Sequence, residues 1–193
     1  MGRAKPKDEG HCPYAGRGGL KLRFALDHFS IDVRGTVAAD LGCHIGGFAD
    51  CLLQSGAAKV YAVDTGYGIL AWKLRQDPRV IVCERTNALH WTPPAPVDIV
   101  TIDVGWTRQS LILAAASIML RANGTILSLV KPQYEAPREL LRHGVLREES
   151  IELVLQETRQ GIPAELALVG EARSPYVGSG GNVEYWWRLK RPA

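Results

Sequence analysis

Residues 36–48 read TVAADLGCHIGGF, and residues 59–64 read KVYAVD. Both runs are apolar and rich in residues that favour β-structure, and an amphipathic segment that ends near Gly56 separates them. This order predicts a strand, a helix and a second parallel strand, which together form a βαβ unit. Open sheets of such units bind ligands in a crevice at the carboxyl ends of the strands. The sequence therefore predicts an α/β fold with a ligand site just after Asp40.

The loop after the first strand has the composition of a nucleoside site. Gly42 permits a sharp turn, and Gly46 and Gly47 leave room for the backbone to approach a ligand. Asp64 ends the second strand, where a carboxylate can accept hydrogen bonds from ribose hydroxyls. The sequence lacks both the dinucleotide pattern G-x-G-x-x-G and a P-loop lysine, so it predicts no pyrophosphate cradle. A nucleoside without a pyrophosphate favours S-adenosylmethionine over NAD.

Length and composition indicate one globular domain. The chain has 193 residues, of which 46% are hydrophobic and 22% are charged. We predict a flexible basic arm over residues 1–16 and a single domain over residues 17–193. The sequence has neither an apolar run of membrane-spanning length nor the apolar core of a signal peptide, which predicts a cytoplasmic protein without membrane contact.

Cysteines and basic residues give weaker signals. The spacing of the four cysteines fits no metal site, so we expect small buried side chains and no metal. The net charge is only +3, but basic residues gather near both ends and would form a patch for a polyanion if the fold brought the ends together. These residues are Arg3, Lys5, Lys7, Arg17, Lys21, Arg23, Arg188, Lys190 and Arg191.

The rest of the chain continues the alternation of helices and strands. Periodicity predicts helices over 17–29, 67–77, 109–120 and 148–159, and further strands near 80–84, 97–106, 124–132, 164–173 and 182–190. This order predicts a Rossmann-like, doubly wound, mostly parallel sheet of seven strands with helices on both faces. The last two strands are expected to form a hairpin that adds one antiparallel strand.

Four charged residues are candidates for the functional site of such a sheet, which lies at the carboxyl ends of its strands. Asp103 ends the fourth strand and Lys131 the fifth, whereas Glu184 lies early in the last strand and Lys21 on the first helix. Each one alone is compatible with a simple surface charge. Two lysines and two carboxylates beside a nucleoside pocket indicate chemistry, because desolvated charge is costly.

Several neighbouring residues have two readings. Asn87 can meet an adenine or serve as a turn residue, and Tyr67 can flank the adenine. Trp106 can stack on an RNA base, although packing beneath the following helix is the favoured interpretation. Trp186 and Trp187 point to opposite faces of one strand and are both predicted to be core residues.

Ordered motifs also give the chain a family resemblance. They are RGGLKL at 17–22, DLG at 40–42 with GGF at 46–48, KVYAVDTGYG at 59–68, RTN at 85–87, TIDV at 101–104, VKPQYE at 130–135, and SP at 174–175 with GNVE at 181–184. With them the chain resembles the TlyA (hemolysin A) branch of the FtsJ-like ribosomal RNA methyltransferases. The resemblance implies the class I methyltransferase fold and methylation of ribose 2′-hydroxyls in ribosomal RNA by S-adenosylmethionine.

The resemblance also implies roles for particular residues. A catalytic Lys-Asp-Lys-Glu tetrad falls on Lys21, Asp103, Lys131 and Glu184. The candidate donor site comprises Asp40, Gly42, Cys43, His44, Gly46, Gly47, Phe48, Asp64, Thr65, Tyr67, Asn87 and Asp103. Lys131 is the candidate to deprotonate the acceptor hydroxyl, or, if it stays charged, to stabilise the developing alkoxide.

The sequence departs from the family pattern in ways that leave the acceptor open. Family members usually carry an N-terminal S4-like domain, so RNA binding here is expected to depend on the basic arm, on a homodimer or on a separate RNA-binding partner. Residues 42–45 read GCHI where small hydroxyl residues are usual, and Gly105-Trp106 replaces Ser-Phe. The alternatives are methyl transfer to a small molecule or a protein, and an idle module that binds nucleosides or RNA.

Overall fold

The computed structural model describes residues 12–191, and residues 1–11 of the predicted arm lie outside that range. Its elements follow the predicted alternation. In chain order they are α1 (Gly18–His28), β1 (Val37–Leu41), α2 (Gly47–Gln54), β2 (Lys59–Val63), α3 (Trp72–Arg75), β3 (Val80–Cys83), β4 (Val97–Ile102), α4 (Gln109–Met119), β5 (Leu120–Val130), α5 (Pro132–Glu135), β6 (Leu141–Arg142), β7 (Val145–Leu146), α6 (Ile151–Gln160), β8 (Ala167–Arg173) and β9 (Tyr185–Lys190).

One large sheet organises the described residues. Its seven strands lie in the order β3-β2-β1-β4-β5-β9-β8. Strands β1 to β5 pair in parallel, and β9 runs antiparallel to both of its neighbours. The predicted fold class is therefore confirmed, including its one antiparallel strand. Because β1 has β2 on one side and β4 on the other, the strand order reverses at β1, and a crevice opens there.

The core is divided between the two faces of the sheet. Trp186 belongs to the apolar cluster beneath α1 and α2, and Trp187 belongs to the cluster beneath α4 and α6. Both indole side chains are fully buried. Adjacent residues of a strand point to opposite faces, so this pair packs both layers at once. The prediction that both tryptophans are core residues is confirmed.

The predicted helix over 67–77 is shorter in the structure and forms only at Trp72–Arg75. The preceding loop bonds to the end of β3 instead of coiling. The amide of Gly68 donates to Glu84 at 2.9 Å, and the amide of Arg85 donates to the carbonyl of Gly66 at 3.0 Å. Gly68 has a φ of +72°, which a regular helix does not allow. These tertiary contacts override the helical periodicity.

The described part of the predicted arm packs on the domain. The amide of Ala15 donates to Asp50 Oδ2 at 2.6 Å, and Gln54 Nε2 donates to the carbonyl of Pro13 at 2.9 Å. Tyr14 packs against the core cluster beneath α1. Residues 13–15, which the prediction placed in the arm, are thus tied to α2 and to the core beneath α1.

Several of the described basic residues near the two ends of the chain are engaged with other parts of the protein. Arg188 does reach the end of α1, where its Nη1 donates to the carbonyl of Phe29 at 3.2 Å. Lys21 and Arg23, however, each form an ion pair with a carboxylate. Arg3, Lys5 and Lys7 lie outside the described residues. Among residues 12–191, no helix combines the length and the apolar character that crossing a membrane requires.

Candidate active site

A cavity of about 760 Å³ opens at the carboxyl ends of β1, β2, β4 and β5. Small-molecule sites usually enclose about 300–1,000 Å³, so its size suits a nucleoside ligand. The predicted site residues that line it are Gly42, His44, Asp64, Thr65, Asn87, Asp103 and Lys131. The crevice is thus where the βαβ pattern predicted it.

A second cavity of about 300 Å³ adjoins the first. It lies between the amino end of α1 and the loop that precedes α2. Predicted residues that line it are Gly42, Cys43, His44, Gly47, Phe48 and Asp103. Gly42, His44 and Asp103 line both cavities, so the two spaces meet at the loop after β1 and at the end of β4.

Asp64 holds in place the loop between β1 and α2, residues 42–46, which we call the donor loop. Its Oδ2 accepts the amide of His44 at 2.8 Å, and its Oδ1 accepts the amide of Gly66 at 2.7 Å. Gly42 has a φ of +84°, and a Cβ at this position would lie 2.6 Å from the carbonyl oxygen of Asp103. The loop therefore requires glycine at position 42 because β4 passes directly beneath it.

Asp40 lies behind this loop and lines neither of the two cavities. Thr101 Oγ1 donates to its Oδ1 at 3.0 Å, whereas Oδ2 has no hydrogen-bond partner within residues 12–191. Burial raises the pKa of this carboxyl to about 7, and repulsion from Asp103 and Asp64 acts in the same direction. Asp40 therefore lies beneath the donor loop and does not form part of the wall of either cavity.

Two ion pairs bring the predicted tetrad to one edge of the sheet. Lys131 Nζ lies 2.6 Å from Asp103 Oδ1 and donates to the carbonyl of Val104 at 3.2 Å. Lys21 Nζ lies 2.5 Å from Glu184 Oε2, and the whole of Glu184 is only 2% exposed.

The strand register places one member of each ion pair at neighbouring positions. Val130 pairs with Tyr185 across β5 and β9. Lys131 follows Val130 and Glu184 precedes Tyr185, so these two charged residues occupy facing positions just beyond the paired ends of the two strands. Residues that are far apart in sequence therefore approach each other through the pairing of two strands.

Trp106 does not pack beneath the following helix, so the favoured interpretation was wrong. Its side chain is 87% exposed and stacks on Tyr134 with ring centroids 4.7 Å apart. The space beneath α4 is filled by Ile112 and Leu113, which are fully buried. Because those residues already fill the core, the loop turns the indole outward.

Tyr67 also lies away from the cavities. Its side chain is 68% exposed, and the guanidinium of Arg85 lies 4.0 Å from its ring centroid. Asn87 lines the main cavity and also accepts the amide of Leu89 at 3.0 Å through Oδ1. Asn87 thus occupies both of its predicted settings, a turn and a cavity wall.

The cysteines and the remaining donor-loop residues are packing elements. Cys43 and Cys51 are buried, as predicted, whereas Cys12 and Cys83 are only half-buried. Burial raises the pKa of the Cys43 thiol, which disfavours the reactive thiolate. Gly46 is buried where a Cβ would lie 2.2 Å from Leu74. The loop therefore rests directly on α3.

Sequence reasoning missed two contacts that shape the site. Arg17 lines the smaller cavity beside the start of α1. Asn182 accepts the amide of Leu146 at 3.0 Å and donates to the carbonyl of Gly144 at 2.9 Å, which fastens the β6–β7 hairpin beside Glu184. Both residues lie in motifs quoted above, RGGLKL and GNVE, but the spacing of residues within a motif does not show which distant residues they contact.

The sheet order and the cavity at the strand-order reversal define a class I methyltransferase. The chain belongs to the FtsJ-like methyltransferase family, whose pattern matches residues 14–191. The family resemblance seen in the sequence is thereby confirmed. A methyltransferase from Mesorhizobium loti, described as S-adenosylmethionine dependent and only 14% identical, shares the fold with a TM-score of 0.64 over 91% of this chain and all of that one.

Nearer relatives cover almost the whole chain. It is 40% identical to the candidate rRNA methyltransferase YqxC of Bacillus subtilis, over 93% of this chain and 66% of that protein. It is also 40% identical to the 16S/23S rRNA (cytidine-2′-O)-methyltransferase TlyA of Mycobacterium tuberculosis, over 92% of this chain and 68% of that protein. A candidate hemolysin from Streptococcus thermophilus superposes with a TM-score of 0.90 at 39% identity, over 95% of this chain and 69% of that one. The chain spans about two thirds of the length of these curated relatives.

Proposed function

We propose that this chain transfers a methyl group from S-adenosylmethionine to a ribose 2′-hydroxyl of ribosomal RNA. Membership of the FtsJ-like family and the activity for which the related TlyA protein is named support this proposal. The observation that carries it is the ion pair of Lys131 and Asp103 where the two cavities meet. An amine and a carboxylate that line this cavity would meet an acceptor that enters it.

The residues present fit the donor. We assign Asp64 to its ribose, Asn87 to its base, and the smaller cavity with Arg17 and the start of α1 to its amino-acid end. The carboxylates of Asp64 and Asp103, which line the main cavity, favour a ligand with positive charge. When bound, S-adenosylmethionine supplies an activated methyl group on a sulfonium sulfur.

Lys131 is assigned to the acceptor hydroxyl. A lysine amine in its charged form has three N–H groups, and here Asp103 and the carbonyl of Val104 engage two of them. We propose that the neutral amine takes the hydroxyl proton as the oxygen attacks, and that Asp103 stabilises the ammonium that forms. If the amine is charged beforehand, it stabilises the developing alkoxide instead, and the hydroxyl proton passes to water. A pH–rate profile separates the two roles, because only the first loses rate as the amine becomes protonated.

Lys21 and Glu184 are assigned to orienting the acceptor side. Glu184 is almost completely buried, and the charge of Lys21 compensates its own. The pair joins α1 to the start of β9 beside Lys131. We propose that this junction fixes the direction from which the ribose approaches.

The exposed Trp106 is assigned to the RNA. Its face is open to solvent beside the cavity, and aromatic side chains of this kind stack on unpaired bases. We propose that the substrate is ribosomal RNA or a ribosomal subunit, in the cytoplasm. A second copy of this chain or a separate RNA-binding partner would then add affinity.

The test is methyl transfer to a panel of acceptors. Purified protein is incubated with tritium-labelled donor and, separately, with ribosomal RNA, each ribosomal subunit and tRNA. We expect label in ribosomal RNA at a linkage that resists alkaline cleavage, as 2′-O-methylation does. Lys131→Ala is the control and should remove transfer while it leaves donor affinity nearly unchanged. Donor binding without transfer to any RNA would contradict the proposal.

A further inference from the structure

The motif over residues 130–135 ends in a carboxylate that the proposed chemistry does not use. Glu135 Oε1 accepts the backbone amide of Gln109 at 2.7 Å. Gln109 is the first residue of α4, and the preceding residue Arg108 provides no capping side chain. The first amides of a helix lack partners within the helix, and a carboxylate there is also favoured by the helix dipole. Glu135 thus supplies from α5 the cap that α4 lacks in its own sequence.

The start of α4 is fixed from a second side as well. Ser128 on β5 donates through Oγ to the side-chain Oε1 of Gln109 at 2.7 Å. Both of these side chains are buried. Gln109 is therefore fastened to the sheet by its side chain and to α5 by its backbone, so the angle of the loop that precedes it depends on both contacts.

Contacts at three places join the loop that carries Asp103 to the turn that carries Lys131. The first is the amine of Lys131, which lies 2.6 Å from Asp103 Oδ1 and also donates to the carbonyl of Val104 at 3.2 Å. The second is the stacking of Trp106 on Tyr134. The third is the hydrogen bond from Gln109 to Glu135. We call this set the α4–α5 bridge; its third contact lies farthest from the reacting groups.

We propose that Glu135 is a positioning residue, which holds the two segments of the α4–α5 bridge so that Asp103 and Lys131 keep the geometry that transfer requires. This inference rests on the proposed function. Glu135 does not line the main cavity, so its removal takes away no direct contact with the donor or the acceptor. Small displacements of reacting groups have large kinetic effects, because the bound geometry must be close to that of attack.

The environment of Glu135 fits such a role. Burial raises the pKa of this group, which means that the position disfavours a free charge, while the hydrogen bond from Gln109 and the charge of Arg108 act in the opposite direction. The carboxylate lines a cleft of about 140 Å³ between α4 and α6 together with Arg108. The hydrogen bond from the amide of Gln109 therefore offsets part of the cost of placing a carboxylate there.

The test compares three variants in the full chain. Glu135→Ala removes the acceptor, and Glu135→Gln keeps an oxygen that can accept the same amide. Glu165→Ala is the matched control, because Glu165 accepts the hydroxyl of Ser117 at 3.0 Å near the far end of α4. Each variant is measured for thermal unfolding, for affinity toward S-adenosylhomocysteine, for single-turnover transfer to ribosomal subunits and for hydrogen exchange over residues 103–112. All rates are taken well below each variant's own unfolding temperature.

We expect Glu135→Ala to slow single-turnover transfer by at least about tenfold, with the affinity for S-adenosylhomocysteine within about twofold of wild type. Hydrogen exchange over residues 103–112 should accelerate in Glu135→Ala and stay unchanged in Glu165→Ala. Glu135→Gln should restore most of the rate. A wild-type transfer rate in Glu135→Ala, or a Gln variant as slow as the Ala variant, would overturn the inference.

The readouts also separate this inference from the proposed function. If the wild-type protein methylates no ribosomal RNA, the proposed function fails, yet hydrogen exchange still reports on the α4–α5 bridge. Unchanged exchange over residues 103–112 in Glu135→Ala would then refute the positioning role on its own. A lower unfolding temperature with unchanged exchange and unchanged rate would mark Glu135 as a purely stabilising residue and would likewise refute it.

Discussion

Replacing Asp40 by Asn should change how the stability of the protein depends on pH. The carboxyl of Asp40 is fully buried, and its pKa is raised to about 7, mainly by burial. In the unfolded chain an aspartate titrates near 4. The folded state therefore binds this proton more tightly than the unfolded state does. Its contribution to stability is complete below about pH 4 and is lost as the pH rises to about 7.

The size of the effect follows from the two pKa values. One pH unit between them is worth about 1.4 kcal/mol, so the wild type should lose about 3 kcal/mol from this group between pH 5 and pH 8. Asn is neutral throughout and avoids that loss. The difference in free energy of unfolding, Asp40→Asn minus wild type, should consequently increase by about 3 kcal/mol over the same range.

Urea unfolding followed by tryptophan fluorescence measures this difference at several pH values. Asp77→Asn is the control, because a hydrogen bond from Arg79 lowers the pKa of Asp77 and its titration lies below this range. The Asp77→Asn difference should therefore stay flat between pH 5 and pH 8. A flat Asp40→Asn difference would refute the conclusion that this buried carboxyl is largely protonated in the folded protein below neutral pH.

Three further predictions concern the site and the core. Asp64→Ala should weaken binding of S-adenosylhomocysteine by about tenfold or more in calorimetry, because the amide of His44 in the donor loop and the amide of Gly66 both lose their acceptor, and the ribose acceptor is lost as well. Trp106→Ala should weaken RNA binding by about 1–3 kcal/mol in a filter-binding assay and leave the unfolding temperature nearly unchanged, since the indole is 87% exposed. Trp186→Ala should lower the free energy of unfolding by about 3–5 kcal/mol in urea titrations, because the residue is fully buried. Unchanged donor affinity, unchanged RNA affinity or unchanged stability, respectively, would contradict these assignments.

Local patterns predicted the fold well because each strand and helix carries its own periodicity. The βαβ unit around Gly42 and the parallel sheet follow from the alternation of apolar runs with helical segments, and the antiparallel β9 follows from the expected hairpin of the last two strands. The opposite burial of Trp186 and Trp187 follows from the two-residue period of a strand. Each of these features depends on a short stretch of sequence, and distant residues only have to be compatible with it.

Predictions failed where a residue's surroundings come from distant segments. Residues 67–71 have helical spacing, yet bonds to the end of β3 draw them into a loop. Trp106 was expected to be covered, but Ile112 and Leu113 already fill the space beneath α4. Tyr14 and Ala15 have the composition of an arm and still pack on α2. In each case competition for the same space or the same hydrogen bonds decided the outcome.

The sequence by itself determined the βαβ unit, the donor loop at Gly42 and the residue types that methyl transfer requires, because these lie in contiguous motifs. Only the tertiary structure decided which charges meet, since Lys21 and Glu184 are 163 residues apart and approach through the packing of α1 against β9. It likewise placed the carboxylate of Glu135 on the first amide of α4. Such contacts join different secondary-structure elements. The periodicity of one segment contains no information about its distance from another segment.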